Sequence, residues 1–165
     1  MIKENTTTTP RLGIDFGNTI IRVLTSTDDQ QHLKQQEFPG AASTIQELAK
    51  HCFGKELYVI SKVNPGGKEK VLEWMRDHNF HHRFGIPPEQ ILFCAERREK
   101  GPIAARLGLT HFIDDRPEVM IHMQSVRRRI LFNPDSTDYD FFKDRLTGVE
   151  RATDWNEIKR LLLPS

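Results

Sequence analysis

The stretch "LGIDFGNTI", residues 12–20, runs from apolar residues into one carboxylate, Asp15, and places a glycine, an amide and a hydroxyl within the next four positions. Asp and Asn favour chain reversals and helix caps, so turn formation is one reading of Asp15. Attack on phosphorus and ligation of a metal are the other two. The residues that accompany Asp15 along the rest of the chain decide between them.

From Arg11 onward, short apolar runs alternate with segments of helical period: "RLGIDF", "ASTIQELAKHC", "ELYVIS", "KEKVLEWMRDH", "QILFCA", "GPIAARLG", "THFIDD", "PEVMIHMQSV" and "RRILFN". Parallel strands need long connections and are buried on both faces, so this alternation predicts a parallel sheet with crossover helices. Pro39-Gly40, Gly54, Pro65-Gly66-Gly67 and Gly101-Pro102 punctuate the boundaries. Residues 1–10 are polar, threonine-rich and closed by Pro10, which reads as a flexible lead-in. Residues 11–165 contain no repeat or linker and read as a single α/β domain.

A chain of 165 residues suits one hydrophobic core. Lys and Arg number 24 against 23 Asp and Glu, a net charge of +1, so no global field draws nucleic acid or an anionic membrane. Charge-based recognition must be local. Cys52 and Cys94 lack metal-cluster or disulfide spacing and read as buried thiols. No stretch approaches the roughly 20 apolar residues of a membrane span, and "MIKENTTTTPR" lacks the apolar core of a signal peptide, so the expected compartment is the cytoplasm.

In an open parallel sheet, ligands bind beyond the carboxyl ends of the strands. The polar residues there are Asp15, Ser61, Glu96 to Lys100, and Asp114-Asp115. Mg²⁺ takes a few hard oxygen ligands, which suits one carboxylate from each of two strands plus a main-chain carbonyl. A serine hydroxyl can bond a phosphoryl oxygen, and a lysine can neutralise charge building on phosphorus. Gly17 lets the backbone turn and approach a ligand. A carboxylate pair closing an apolar strand, as at 114–115, is costly without a cation or hydrogen bonds. "NFHHRFG", residues 79–85, reads as a surface loop, because adjacent histidines seldom point at one ion. "RRRI" at 127–130 reads as a solvated strand start or, with Arg97 and Arg98, a docking surface for a polyanion. Phe141 and Phe142 read as core or helix-packing residues.

Taken in order, "IDFGNT", a serine after the second strand, a lysine opening the helix after the third, and "THFIDDRPEV" resemble the haloacid dehalogenase-like (HAD) superfamily of phosphohydrolases over roughly residues 12–135. The resemblance implies a Rossmann-like three-layer α/β/α sandwich. It implies Asp15 as the nucleophile of an aspartyl-phosphate, Ser61 on the transferring phosphoryl group, Lys100 steadying both, and Asp114 ligating Mg²⁺ with Asp115 assisting. The second metal ligand of the first motif is a main-chain carbonyl, here that of Gly17. The gaps at residues 20–38 and 62–90 are too short for a substantial cap, so the site is expected to be open to bulky phosphorylated substrates or covered by an oligomer.

One position departs from the family pattern. Two residues after the nucleophile the family carries an aspartate that protonates the leaving oxygen and activates water, and this chain has Gly17. Such help contributes about 10²- to 10⁴-fold. Glu96, Lys62 or a histidine would have to supply the proton, the substrate would need a good leaving group, or the protein is a phosphate- and Mg²⁺-binding interaction module without turnover. "GIDFGNTIIRV" also resembles the first phosphate motif of actin-like kinases, but their second lobe and glycine-rich loop are absent and the Lys100 to Asp115 stretch has no place in that fold.

Overall fold

The computed structural model describes residues 8–23 and 36–165. Most of the expected lead-in, and the centre of the 20–38 gap, lie outside the described residues. The strands are β1 (Leu12–Ile14), β2 (Ile21–Arg22), β3 (Gln36–Glu37), β4 (Leu57–Lys62), β5 (Ile91–Cys94), β6 (His111–Asp114), β7 (Arg128–Phe132) and β8 (Glu150–Ala152). Six form one sheet in the order β5-β4-β1-β6-β7-β8, with every pairing parallel. β2 and β3 pair antiparallel as a separate ribbon beside the end of β1.

The helices are α1 (Ala41–Leu48), α2 (Gly67–Asp77), α3 (Phe80–Phe84), α4 (Lys100–Leu107), α5 (Pro117–Ile121), α6 (Ser136–Phe142) and α7 (Trp155–Leu162). Side-chain alternation along the strands builds two cores. Leu12, Ile14, Leu57, Val59, Ile113, Ile130 and Phe132 point to the layer of α1, α2, α3 and α7. Ile60, Phe112 and Leu131 point to the layer of α4 and α5, with α6 packed at its edge. The fold is therefore a Rossmann-like α/β/α sandwich, built on the parallel sheet with crossover helices expected from the alternating runs. Gly13 faces the second layer, where a Cβ would meet Leu109 and Phe112 carbons at 2.5–2.7 Å, so the α4 side can close on β1 only without a side chain there.

From β1 the chain adds β4 and then β5 on one side, and returns to place β6 on the other. The order reverses at β1, which puts the crevice expected to hold ligands at the ends of β1 and β6. Among the described residues no cap domain covers it.

Three local expectations are corrected. Residues 80–84 form α3 rather than a loop, because Phe80 and Phe84 are fully buried and stack at 4.3 Å; His81 Nδ1 bonds the Ile86 carbonyl at 3.0 Å. Phe141 is 80% exposed and only leans on Phe142, so it is not a core residue. The "RRRI" arginines do not join Arg97 and Arg98. Arg128 starts β7 opposite His111, at the amino end of the sheet, and forks onto Glu150 at 2.7 and 3.0 Å, whereas Arg97 follows the carboxyl end of β5.

Candidate active site

Asp15 is the first residue beyond β1, and its N–H donates to the Ile113 carbonyl of β6 at 2.9 Å. The next residues turn tightly: Asn18 adopts φ 60°, its N–H donates to the Ile21 carbonyl and its Oδ1 accepts from the Val23 N–H at 3.1 Å. This turn returns Thr19 beneath Asp15, where its hydroxyl donates to Asp15 Oδ2 at 3.1 Å. Trp155 of α7 anchors the same turn by donating its indole N–H to the Thr19 carbonyl at 3.0 Å.

Lys100 opens α4 and is only 2% exposed, as a buried ammonium can be when it is fully paired. Its Nζ lies 2.8 Å from Asp15 Oδ1 and 2.7 Å from Asp114 Oδ2. Two features set this position. A short turn at Arg97–Glu99 with a reciprocal Glu96–Glu99 capping box leads into α4. Gly101 then allows close approach to α5, since a Cβ there would come within 2.3 Å of the His122 carbonyl oxygen.

Asp114 is wholly buried and both of its oxygens are engaged, Oδ2 by Lys100 and Oδ1 by the Arg116 N–H at 2.9 Å. Asp115 instead opens into a cavity of ≈ 430 Å³ that is also lined by Asp15, Gly17, Ser61, Lys62, Lys100 and Arg116. Ser61 is 4% exposed at the end of β4. Of the six residues singled out in the sequence, five share this cavity, and Asp114 stands behind it. Thr19, Arg116 and Trp155 were not singled out. The threonine of "DFGNT" is the only one with a local signal, four residues after Asp15.

The electrostatics are those of crowded anions. One oxygen from each of Asp15, Asp114 and Asp115 lies within 4.8 Å of the others. Burial and the neighbouring Asp15 push the Asp114 carboxyl up to about 6. Burial, Asp15 and Asp114 push Asp115 up to about 9. Burial pulls the Lys100 ammonium down, and the Asp114 and Asp15 carboxylates outweigh it, so the lysine stays charged. Three crowded carboxyl groups, two of them paired with one lysine, form a hard-oxygen donor set that could hold a metal ion.

Of the groups considered as substitutes for an acid at position 17, only Lys62 lines the cavity. Glu96 pairs with Arg98, and no histidine lines the cavity among the described residues. Gly17 itself is not in a left-handed conformation, and a Cβ there would meet only Val23 Cγ2 at an ordinary 3.5 Å.

No family model matches the chain. A protein of Oceanobacillus iheyensis, named as a candidate nucleotidase, is 22% identical over 121 residues, which is 73% of this chain and 58% of that protein. The chain thus spans little more than half the length of this relative. The solution structure of a de novo designed Rossmann 3x3 fold protein aligns with a TM-score of 0.47 at 10% identity, over 92% of this chain and 90% of the designed one.

Proposed function

We propose that this chain is a HAD-like, Mg²⁺-dependent phosphohydrolase that acts on phosphomonoesters through an aspartyl-phosphate on Asp15. The observation that carries the reading is the Lys100 bridge between Asp15 and Asp114, set at the end of a cavity shared with Ser61 and Asp115. The nucleotidase name of the Oceanobacillus relative agrees with it.

Asp15 attacks phosphorus with a carboxylate held by Lys100 on one oxygen and by Thr19 on the other, and the ester P–O bond breaks to release the alcohol oxygen, which takes its proton from water. Ser61 donates its hydroxyl to a phosphoryl oxygen, and Lys100 balances charge as the transferring group spreads it. Asp15, Asp114 with Asp115 assisting, and the Gly17 carbonyl would hold Mg²⁺, and Asp114 also fixes Lys100. When bound, the ion would neutralise the crowded carboxylates and polarise the phosphoryl oxygens. Water then cleaves the acyl-phosphate and returns Asp15 as a carboxylate.

Gly17 favours a second reading, a phosphate- and Mg²⁺-binding module without turnover, because it supplies no proton to a leaving oxygen. Steady-state assay with Mg²⁺ and an activated aryl phosphate separates the two. Turnover by the wild type that disappears in Asp15→Asn supports the hydrolase. Binding of Mg²⁺ and phosphate without turnover, in both the wild type and Gly17→Asp, supports the module.

A further inference from the structure

Two clefts meet at Asn18, Asp115 and Arg116, and they differ in charge. The first is the cavity described above. Beyond the reacting centre its wall carries Lys62, at the end of β4, and Lys70, in the first turn of α2. The second cleft, ≈ 470 Å³, shares Asn18, Asp115 and Arg116 with the first and continues past Asn133 to Asp135 and Asp138. Away from the shared residues the first cleft is therefore cationic, whereas the second sets one arginine, Arg22, against two carboxylates.

The cations of the first cleft are not equally committed. Lys100 is consumed by Asp15 and Asp114, Arg97 faces Glu118 at 3.4 Å, and Arg116 faces Asp138 at 3.3 Å and Asp115 at 3.7 Å. Lys62 donates only to the neutral Asn64 side chain, at 2.7 Å, and among the described residues neither Lys62 nor Lys70 pairs with a carboxylate. Two uncompensated ammonium groups on one concave wall repel each other and concentrate anions. Val63 and Val71 line the same cleft and give it an apolar portion that suits a short hydrocarbon or sugar backbone.

Resting on the phosphohydrolase reading, we infer that the site selects phosphomonoesters bearing a second anionic group, a phosphate or a carboxylate, which Lys62 and Lys70 hold while Asp15 engages the reacting phosphate. The substrate lies with its second anion toward α2 and away from Asp135 and Asp138. Lys62 and Lys70 hold the second anion, and Lys70, on α2, takes no part in the chemistry at phosphorus.

The test compares α,ω-alkanediol bisphosphates with two to six carbons against the matching monophosphates, in the presence of Mg²⁺. Two equivalent ends give a bisphosphate a twofold statistical advantage. The inference expects kcat/KM for at least one spacer to exceed that of its monophosphate by about tenfold or more, the effect of one charge-assisted contact. In Lys62→Met/Lys70→Met this ratio falls to about the statistical factor. Lys70→Met alone, on α2 rather than on β4 beside Ser61, lowers it as well. Calorimetric binding of the same pairs keeps the two claims apart. Tighter bisphosphate binding that is lost in the double variant upholds the subsite even where hydrolysis is absent, and the failure then falls on the catalytic reading. Equal kcat/KM and equal binding for mono- and bisphosphates overturn the subsite, and hydrolysis of both would leave the phosphohydrolase reading standing. A bisphosphate preference unchanged in both lysine variants also overturns it.

Discussion

Lys100 Nζ stands 2.8 Å from Asp15 Oδ1, although the two residues are 85 positions apart and enter the site from different layers of the fold. A buried ammonium holds the side chain proposed to capture phosphorus, and Asp114 holds the ammonium at 2.7 Å.

Removing that ammonium leaves crowded carboxylates without their cation. Lys100→Met is expected to cost about 3–5 kcal/mol, as breaking a buried pair does. At roughly 2–4 °C per kcal/mol for a chain of this size, thermal unfolding should move down by about 6–20 °C. Turnover should be lost at temperatures where the variant is still folded. An unchanged melting temperature would mean that the pair adds nothing to stability.

Metal addition distinguishes the roles of the adjacent aspartates. Mg²⁺ at about a hundred times its Kd should stabilise the wild type by about 2.7 kcal/mol. Asp115→Asn should reduce this shift, because its carboxylate opens into the cavity. Asp114→Asn should lower the melting temperature with or without the ion, because it strips Lys100 of one partner. Thermal shift assays over a Mg²⁺ titration read both effects.

Position 17 accepts a side chain. Gly17→Asp places a carboxyl where a Cβ has only an ordinary contact with Val23, and a general acid and base contributes about 10²- to 10⁴-fold. The variant is expected to be faster on alkyl phosphates, whose leaving groups need a proton, and little changed on aryl phosphates with acidic leaving groups. Rates across a leaving-group series check this: a steep dependence in the wild type should flatten in the variant.

His111 makes stability pH-dependent away from the site. It is buried, with Thr110 Oγ1 at 2.7 Å from its Nδ1 and the Phe53 ring against it, and burial, with help from Arg128 and Arg127, pulls it down from 6.5 to about 4. Between those values the unfolded chain binds more protons than the folded one, so stability falls as pH drops from about 6.5 towards about 4. Below about 4 this residue adds no further loss. Urea unfolding from pH 4 to 7 should show a shallower slope for His111→Gln.

The strands at the site were legible because each is a short apolar run on a sheet buried on both faces, as in "ELYVIS" and "HFIDD". Asp15, Ser61 and Asp115 were legible for the same reason, as polar residues closing those runs. The difference between the surroundings of Asp114 and Asp115 was not. It depends on which carboxylate the β6 register turns inward to Lys100, and two adjacent aspartates look alike in sequence. β2 and β3, two residues each, are too short to carry a period. α3 was missed because its helical spacing, Phe80 to Phe84, spans a single turn and was outweighed by the histidines between. Trp155 acts on the site through a tertiary contact with Thr19 136 residues away, which no local pattern records.

Covalent capture of phosphorus by Asp15 is tested most directly by a rapid quench. Protein is mixed with Mg²⁺ and a ³²P-labelled aryl phosphate, stopped in acid within one turnover, and digested for peptide mapping. The label is expected on the peptide carrying Asp15, labile to hydroxylamine, and absent in Asp15→Asn. Released product with no label on that peptide at any time in the turnover, or undiminished hydrolysis by Asp15→Asn, would contradict it.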